Sequence, residues 1–296
     1  MLINSCINIQ DDKLSNGLKG IFPIIDEIEK SLDAEDIIDF SKTSFVSPTF
    51  LLPLMVFAKN HRKAIHFSNI TPYMQHLYFG DGLSPDRMRN TEFIAYMEGY
   101  AEKTFIPIIN FPAVDCKEVE KNSILSTVES IITRQVGLTS NVNIGLKYMI
   151  GEIVDNITQH SQSERGYILA QSYPRKKYLD ICIANNGITL LGSYQKLQNN
   201  EILSDMEAIQ AANRGISTKN LPNAENRGYG IITSRNMLVN GLNGQYIMIS
   251  GNAMCIHDRN VDQFIALPDD IYWKGTIVAF RIPYVNQNFQ YIKYIE

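Results

Sequence analysis

Three short segments in the second half of this chain hold residues whose types and spacing suit chemistry. In Gly151-Glu152-Ile153-Val154-Asp155-Asn156-Ile157-Thr158-Gln159-His160, Glu152 and Asn156 stand four apart and His160 follows four later. On a helix such residues share one face. A carboxylate beside a carboxamide oxygen can hold a water next to a hard cation. Mg²⁺ keeps several waters and needs few protein oxygens when phosphate supplies the rest. The same pair also occurs on ordinary solvated helices. The second segment is Ile181-Cys182-Ile183-Ala184-Asn185-Asn186-Gly187-Ile188-Thr189. An apolar run stops abruptly, Asn185 would aim an amide from the strand end, and Gly187 admits a close approach. A plain Asn-Gly turn fits those letters equally well. The third is Glu225-Asn226-Arg227-Gly228-Tyr229-Gly230-Ile231. Gly228 and Gly230 bracket Tyr229 ahead of a helix, where backbone N–H groups and the positive helix end suit phosphate. Residues 211–219 are polar enough to read as a lid. Lys219 and Arg227 are candidates for neutralising phosphate charge, although such residues are commonly plain solvated surface.

The elements that would position these segments follow from periodicity. Residues 123–135 and 140–160 have helical spacing, the second with an apolar stripe of Ile144, Met149, Ile150, Ile153 and Ile157. Residues 167–170 and 179–184 read as adjacent strands, with a hairpin signal at 172–176. A helix over 230–240 precedes strands at 245–250, 263–267 and 275–282. Long helices followed by a mainly antiparallel sheet imply a two-layer α/β sandwich. Upstream, residues 36–41 and 64–67 read as strands flanking a buried-faced helix over 50–60, a small α/β unit. Residues 104–111 read as a strand that Pro107 confines to an edge. The resulting division is 1–85 for the N-terminal α/β domain, 86–122 for a connecting segment and 123–296 for the sandwich.

The order and spacing of the three segments resemble the GHKL ATPases, the family of histidine-kinase catalytic domains, anti-sigma-factor serine kinases, type II topoisomerases and ninety-kilodalton heat-shock chaperones. Residues 152–156 match its N box, 185–189 its adenine-binding box and 228–230 its second glycine box. Lys274-Gly275-Thr276 before an apolar strand is similar to its closing strand, whose threonine lines the adenine pocket. The resemblance covers about residues 123–296. It implies a Bergerat-type sandwich that binds ATP and Mg²⁺, with Asn156 as the metal ligand. It implies Glu152 as the group that orients or deprotonates the attacking water or hydroxyl, and Asn185, Gly187, Thr189, Gly228, Tyr229, Gly230 and Thr276 as nucleotide contacts. Two positions depart from the pattern. Asn185 replaces the aspartate that accepts the adenine amino proton, and an amide can donate as well as accept. Thr189 replaces the box's second glycine.

Residues 39–51, from Asp39 through Ser47-Pro48-Thr49 to Leu51, resemble the strand, loop and helix start of a STAS domain. In the anti-sigma-factor antagonists of that family a serine there is phosphorylated. Ser47 or Thr49 capping the helix explains the same residues.

Composition bounds the rest. The chain has 296 residues, 45% hydrophobic and 20% charged, and a formal net charge of −4. That balance speaks against a broad basic face for nucleic acid. Cys6, Cys116, Cys182 and Cys255 form no knuckle or redox pair, and the histidines form no ligand motif, so neither a structural metal nor disulfides are expected. The N-terminus lacks a secretory pattern and no apolar run is long enough to span a bilayer, so a cytoplasmic protein is expected. The leading functional expectation is a bacterial regulatory protein, either a protein serine/threonine kinase or a nucleotide-dependent partner switch. It would have a protein partner or substrate, and a homodimer is compatible. The alternatives are an ATPase driving a conformational cycle, a histidine-kinase-like subunit, and a non-catalytic scaffold.

Overall fold

The computed structural model describes residues 13–196, 201–216, 229–284 and 288–295. Helix α1 (Ser15–Lys30) is followed by β1 (Glu35–Asp39), α2 (Pro48–Asn60) and β2 (Ala64–Ser68), then by α3 (Pro72–His76), α4 (Asn90–Glu98) and β3 (Ile109–Pro112). Next come the long helices α5 (Glu118–Val136) and α6 (Ser140–His160), the hairpin β4 (Arg165–Tyr173) and β5 (Tyr178–Asn185), and helices α7 (Leu190–Lys196), α8 (Asp205–Asn213) and α9 (Tyr229–Asn236). A π-turn at Met237–Gly241 continues α9. Strands β6 (Gln245–Gly251), β7 (Ala253–His257), β8 (Asp262–Ala266) and β9 (Trp273–Pro283) complete the fold.

The protein is an α/β sandwich. Its seven-stranded sheet has the order β3-β4-β5-β9-β6-β7-β8, and every ladder in it is antiparallel. A second sheet pairs β1 with β2 in parallel around α2. Strand period sorts the large sheet's side chains between two cores. Ile168, Ala170, Ile181, Ile183, Met248, Val278 and Phe280 face a core shared with α5 and α6. The alternate residues Leu169, Cys182, Ala184, Ile247, Ile249 and Ala279 face a core shared with α1 and α2. The expected two layers are therefore joined by a third, since the N-terminal helices cover the sheet's second face. This explains why all eight residues of β5 are buried. A strand covered on both sides reads as a continuous apolar run rather than an alternating one.

Several local expectations shift. Residues 86–122, expected as a connector, contain α4 and supply β3, the sheet's edge strand. In α6 the buried stripe runs through Leu146, Met149, Ile150, Ile153, Val154 and Ile157, and Ile144 is exposed. Ala211, Ala212 and Asn213, expected in a polar lid, form the buried end of α8. Asn213 is held there by Nδ2 donating to the Ile209 carbonyl (2.9 Å). At the start of α2, Ser47 takes the N-cap position and its hydroxyl bonds the Thr49 hydroxyl (3.0 Å). Thr49 is only 1% exposed, beneath Gly17 of α1, where a β-carbon would come within 2.1 Å of its Oγ1. Among the described residues no helix is long and apolar enough to cross a membrane.

One buried acid lies apart from the cavity described below. Glu129 of α5 is 5% exposed, and burial pushes its carboxyl up from 4.5 to about 7 against the opposing pull of Lys147. The folded protein holds this proton at a pH where the unfolded chain has released it. The stabilisation is complete below the unfolded value and is lost as pH rises through about 7. Glu129→Gln is therefore expected to melt above the parent at pH 8, with the gap closing towards pH 4. Parallel melting curves at both pH values would refute the assignment.

Candidate functional site

The cavity between α6, the sheet, α7, α8 and α9 encloses about 820 Å³ of empty space, counting its open mouth. Helix α6 contributes Glu152, Asn156 and His160, one turn apart, with Ile153 and Ile157 between them. The floor comes from strand period. Asn185 lies two residues beyond Ile183 and so faces the same way, as Thr276 does relative to Val278 on the neighbouring strand. Met248 of β6 completes the floor. Leu190, Ser193 and Tyr194 of α7, Ala212 of α8 and Ile216 just beyond it form one wall, and Gly230 and Ile231 of α9 another. The Tyr194 hydroxyl donates to the Ile216 carbonyl (2.7 Å), which ties that wall together.

The end of β5 is strapped from three sides. Asn185 Oδ1 accepts from the Thr276 backbone N–H (3.1 Å), and the Asn185 carbonyl accepts from Trp273 Nε1 (3.2 Å). The Ile188 N–H donates to the Ser161 carbonyl at the end of α6 (2.6 Å). Ser250 Oγ donates to the Gly275 carbonyl (2.8 Å) and accepts from the Leu190 N–H (2.9 Å). Two glycines make these approaches possible. A β-carbon on Gly187 would lie 1.9 Å from the Ser161 carbonyl oxygen. Gly275 has φ +85°, and a β-carbon there would lie 2.5 Å from the Asn185 oxygen. Both contacts are to backbone, which cannot swing away.

At the opposite end, Glu152 packs against the first turn of α9. A β-carbon on Gly230 would lie 1.9 Å from Glu152 Oε2, so the missing side chain is what admits the carboxylate. The positive end of the helix favours a negative group at this place. Burial and the Glu152 charge push the Tyr148 hydroxyl, one turn earlier on α6, up to about 12.

Of the site residues expected from sequence, Glu152, Asn156, Asn185, Gly230 and Thr276 line this one cavity. Gly187 and Thr189 are not among its lining residues. Gly187 serves the packing against Ser161, and Thr189 caps α7, its Oγ1 accepting from the Gly192 N–H (3.1 Å). A glycine at 189 would offer no such acceptor. Tyr229 opens α9. Lys219, Arg227 and Gly228 lie outside the described residues. Ile216, within the segment read as a lid, does line the cavity, whereas sequence reading missed Ser193, Tyr194 and Met248. Met248 was accessible through strand period, whereas the α7–α8 wall carries no motif. The chain matched no family model, no curated protein and no solved structure.

Alanine at Gly275 would meet both left-handed backbone and the Asn185 carbonyl, and is expected to cost roughly 1–3 kcal/mol. Gly187→Ala should also destabilise. Gly151, in the middle of α6 with nothing near its missing side chain, is the control. Gly151→Ala should stabilise by about 0.5–1 kcal/mol. Urea denaturation of all three variants tests the strap, and equal shifts at the three positions would sink it.

Proposed function

We propose that the cavity binds a purine nucleoside triphosphate with Mg²⁺, ATP being the nucleotide that the GHKL resemblance implies, and that the protein uses it as a regulatory kinase or nucleotide-dependent switch. The observation that carries this reading is the convergence of Glu152, Asn156, Asn185, Gly230 and Thr276, which come from separated segments, on one cavity. Its apolar floor suits the faces of a base, its Asn185–Thr276 end suits the base edge, and its α6–α9 end suits phosphate.

The residues present fit Mg²⁺. Among the described residues no three His, Cys, Asp or Glu side chains gather to hold a metal unaided. Asn156 offers one neutral oxygen on the face that carries Glu152, and phosphate oxygens would complete the set. The ion would neutralise phosphate charge. Glu152 would take the proton from the attacking water or protein hydroxyl as its oxygen bonds to the terminal phosphorus and the nucleoside diphosphate leaves. Backbone N–H groups in the first turn of α9 would receive phosphate oxygens.

Calorimetry with Mg-ATP and Mg-GTP tests the proposal. The wild type should bind at least one of them, and Asn156→Ala should lose at least tenfold in Mg²⁺-dependent affinity. Glu152→Gln should bind within a few-fold of wild type yet lose roughly 10²–10³ in any turnover. No binding of either nucleotide at millimolar concentration would end the nucleotide reading, in favour of a scaffold that keeps the fold without the ligand.

A further inference from the structure

We infer that a second cavity, beside the strap and apart from the first, is a binding site for a small aromatic carboxylic acid. The inference stands whether or not the first cavity takes a nucleotide.

This cavity opens where the N-terminal layer meets the ends of β5 and β9. Phe57, His61 and Arg62 at the end of α2 line it together with Glu29 of α1. Tyr272, Trp273 and Lys274 come from the start of β9 and the residue before it. The two cavities share no lining residue, yet they meet at one strap. Asn185 and Thr276 line the first, and Asn186 and Trp273 line the second.

The charges in the lining leave one cation over. His61 Nδ1 accepts from the Lys63 backbone N–H (3.2 Å), so the neutral ring carries its proton on Nε2 and donates it to Glu29 Oε1 (3.1 Å). Arg62 Nη2 lies 3.6 Å from the other Glu29 oxygen. Glu29 is the sole acid in the lining, and Arg62 balances it. Lys274 is exposed and has no ion pair among the described residues. The lining is therefore matched by a single negative charge, whereas a dianion would set its second charge against Glu29.

The rest of the lining is aromatic. Trp273 is 5% exposed, and its Nε1 is engaged by the Asn185 carbonyl (3.2 Å), so it has ring surface to offer and no donor. Phe57 is half-buried against the His61 ring, with 5.0 Å between centroids. Tyr272 is 52% exposed, a large apolar ring left in water. Aromatic rings gain from one another beyond the area they cover. A bare anion would gain little here, because ion pairs open to water are weak. A neutral ring would leave Lys274 unmatched. A molecule with a ring and one carboxylate satisfies both, the ring on Tyr272, Trp273 and Phe57 and the carboxylate towards Lys274.

Trp273 is the chain's single tryptophan, so its fluorescence reports on this cavity directly. Titration of the whole chain with phenylacetate is expected to give a saturable change at millimolar concentration or below. Benzyl alcohol, which lacks the charge, and acetate, which lacks the ring, are each expected to bind about tenfold more weakly or worse. Lys274→Met is expected to weaken phenylacetate roughly three- to fivefold, and Tyr272→Ala by about as much. Both side chains are exposed, and circular dichroism melts check that the variants fold. Should either fail to fold, the wild-type ranking of the three probes still decides. No saturable change with phenylacetate overturns the inference, as does benzyl alcohol or acetate binding equally well. Phenyl phosphate binding more tightly than phenylacetate overturns the single-charge match. An unchanged titration in both variants means that the acid binds elsewhere, and it too overturns the inference. None of these outcomes bears on the nucleotide reading, which calorimetry tests separately.

Discussion

The close approach between the end of β5 and the start of β9 is the constraint on which the cavity depends. Gly275 leaves no room for a side chain against the Asn185 carbonyl, and Gly187 leaves none against Ser161 at the end of α6. That contact places the Asn185 carboxamide against the Thr276 N–H. It also sets the path of the chain into α7, because Ile188 and Leu190 hang from the Ser161 and Ser250 acceptors.

A second constraint is that the sheet is buried on both faces. Helices α5 and α6 cover one face, and α1 and α2 the other. Polar residues within such a sheet need partners inside it, and Asp180 shows how this is met. It is wholly buried and paired by both Nε and Nη2 of Arg281, its cross-strand neighbour (2.7 and 2.8 Å). Such paired, bidentate geometry is what makes a buried charge tolerable. The Arg281 guanidinium also lies over the Tyr178 ring, 3.8 Å from its centroid. The N-terminal layer is thus joined to the layer that carries the cavity through shared side-chain packing, as Cys182 and Ala184 lie on the reverse of the strand that ends in Asn185.

Much of this was legible in the sequence because it is periodic. Helix α6 was placed from its spacing over its full length, and the hairpin of β4 and β5 from two apolar runs with a turn between them. Glu152, Asn156, Asn185 and Gly230 were singled out from three motifs and Thr276 from the closing-strand segment, and all five line the one cavity. What escaped has identifiable causes. Helix α1 contains Gly17, Gly20 and Pro23, which weaken its helical signature, and it is held by packing on α2 rather than by propensity. Strand β7 is short, yet its turn was readable. Gly251 with φ +62° and Asn252 form a two-residue loop between Ser250 and Ala253, a recognised hairpin signal. Thr189 was read as a ligand contact because of its place in a motif, whereas the start of α7 needed a cap there. The polarity of Asn185 was beyond the sequence altogether, since it depends on a backbone N–H ninety-one residues away.

The α6–α9 end carries an electrostatic consequence for the proposed reading. Glu152 already sits on the first turn of α9, where Gly230 makes room for it. A triphosphate brought to the same helix end would confront that carboxylate, and like charges at contact distance in a partly dry site repel strongly. The positive end of one helix, worth about half a unit charge, cannot neutralise both. Under the proposed reading, a divalent cation beside Asn156, one turn along from Glu152, would supply the missing positive charge. The cation would then let the phosphates and Glu152 coexist, and metal-free nucleotide would have to displace Glu152 from α9 to bind. The requirement comes from the placement of a carboxylate and a glycine, Glu152 and Gly230.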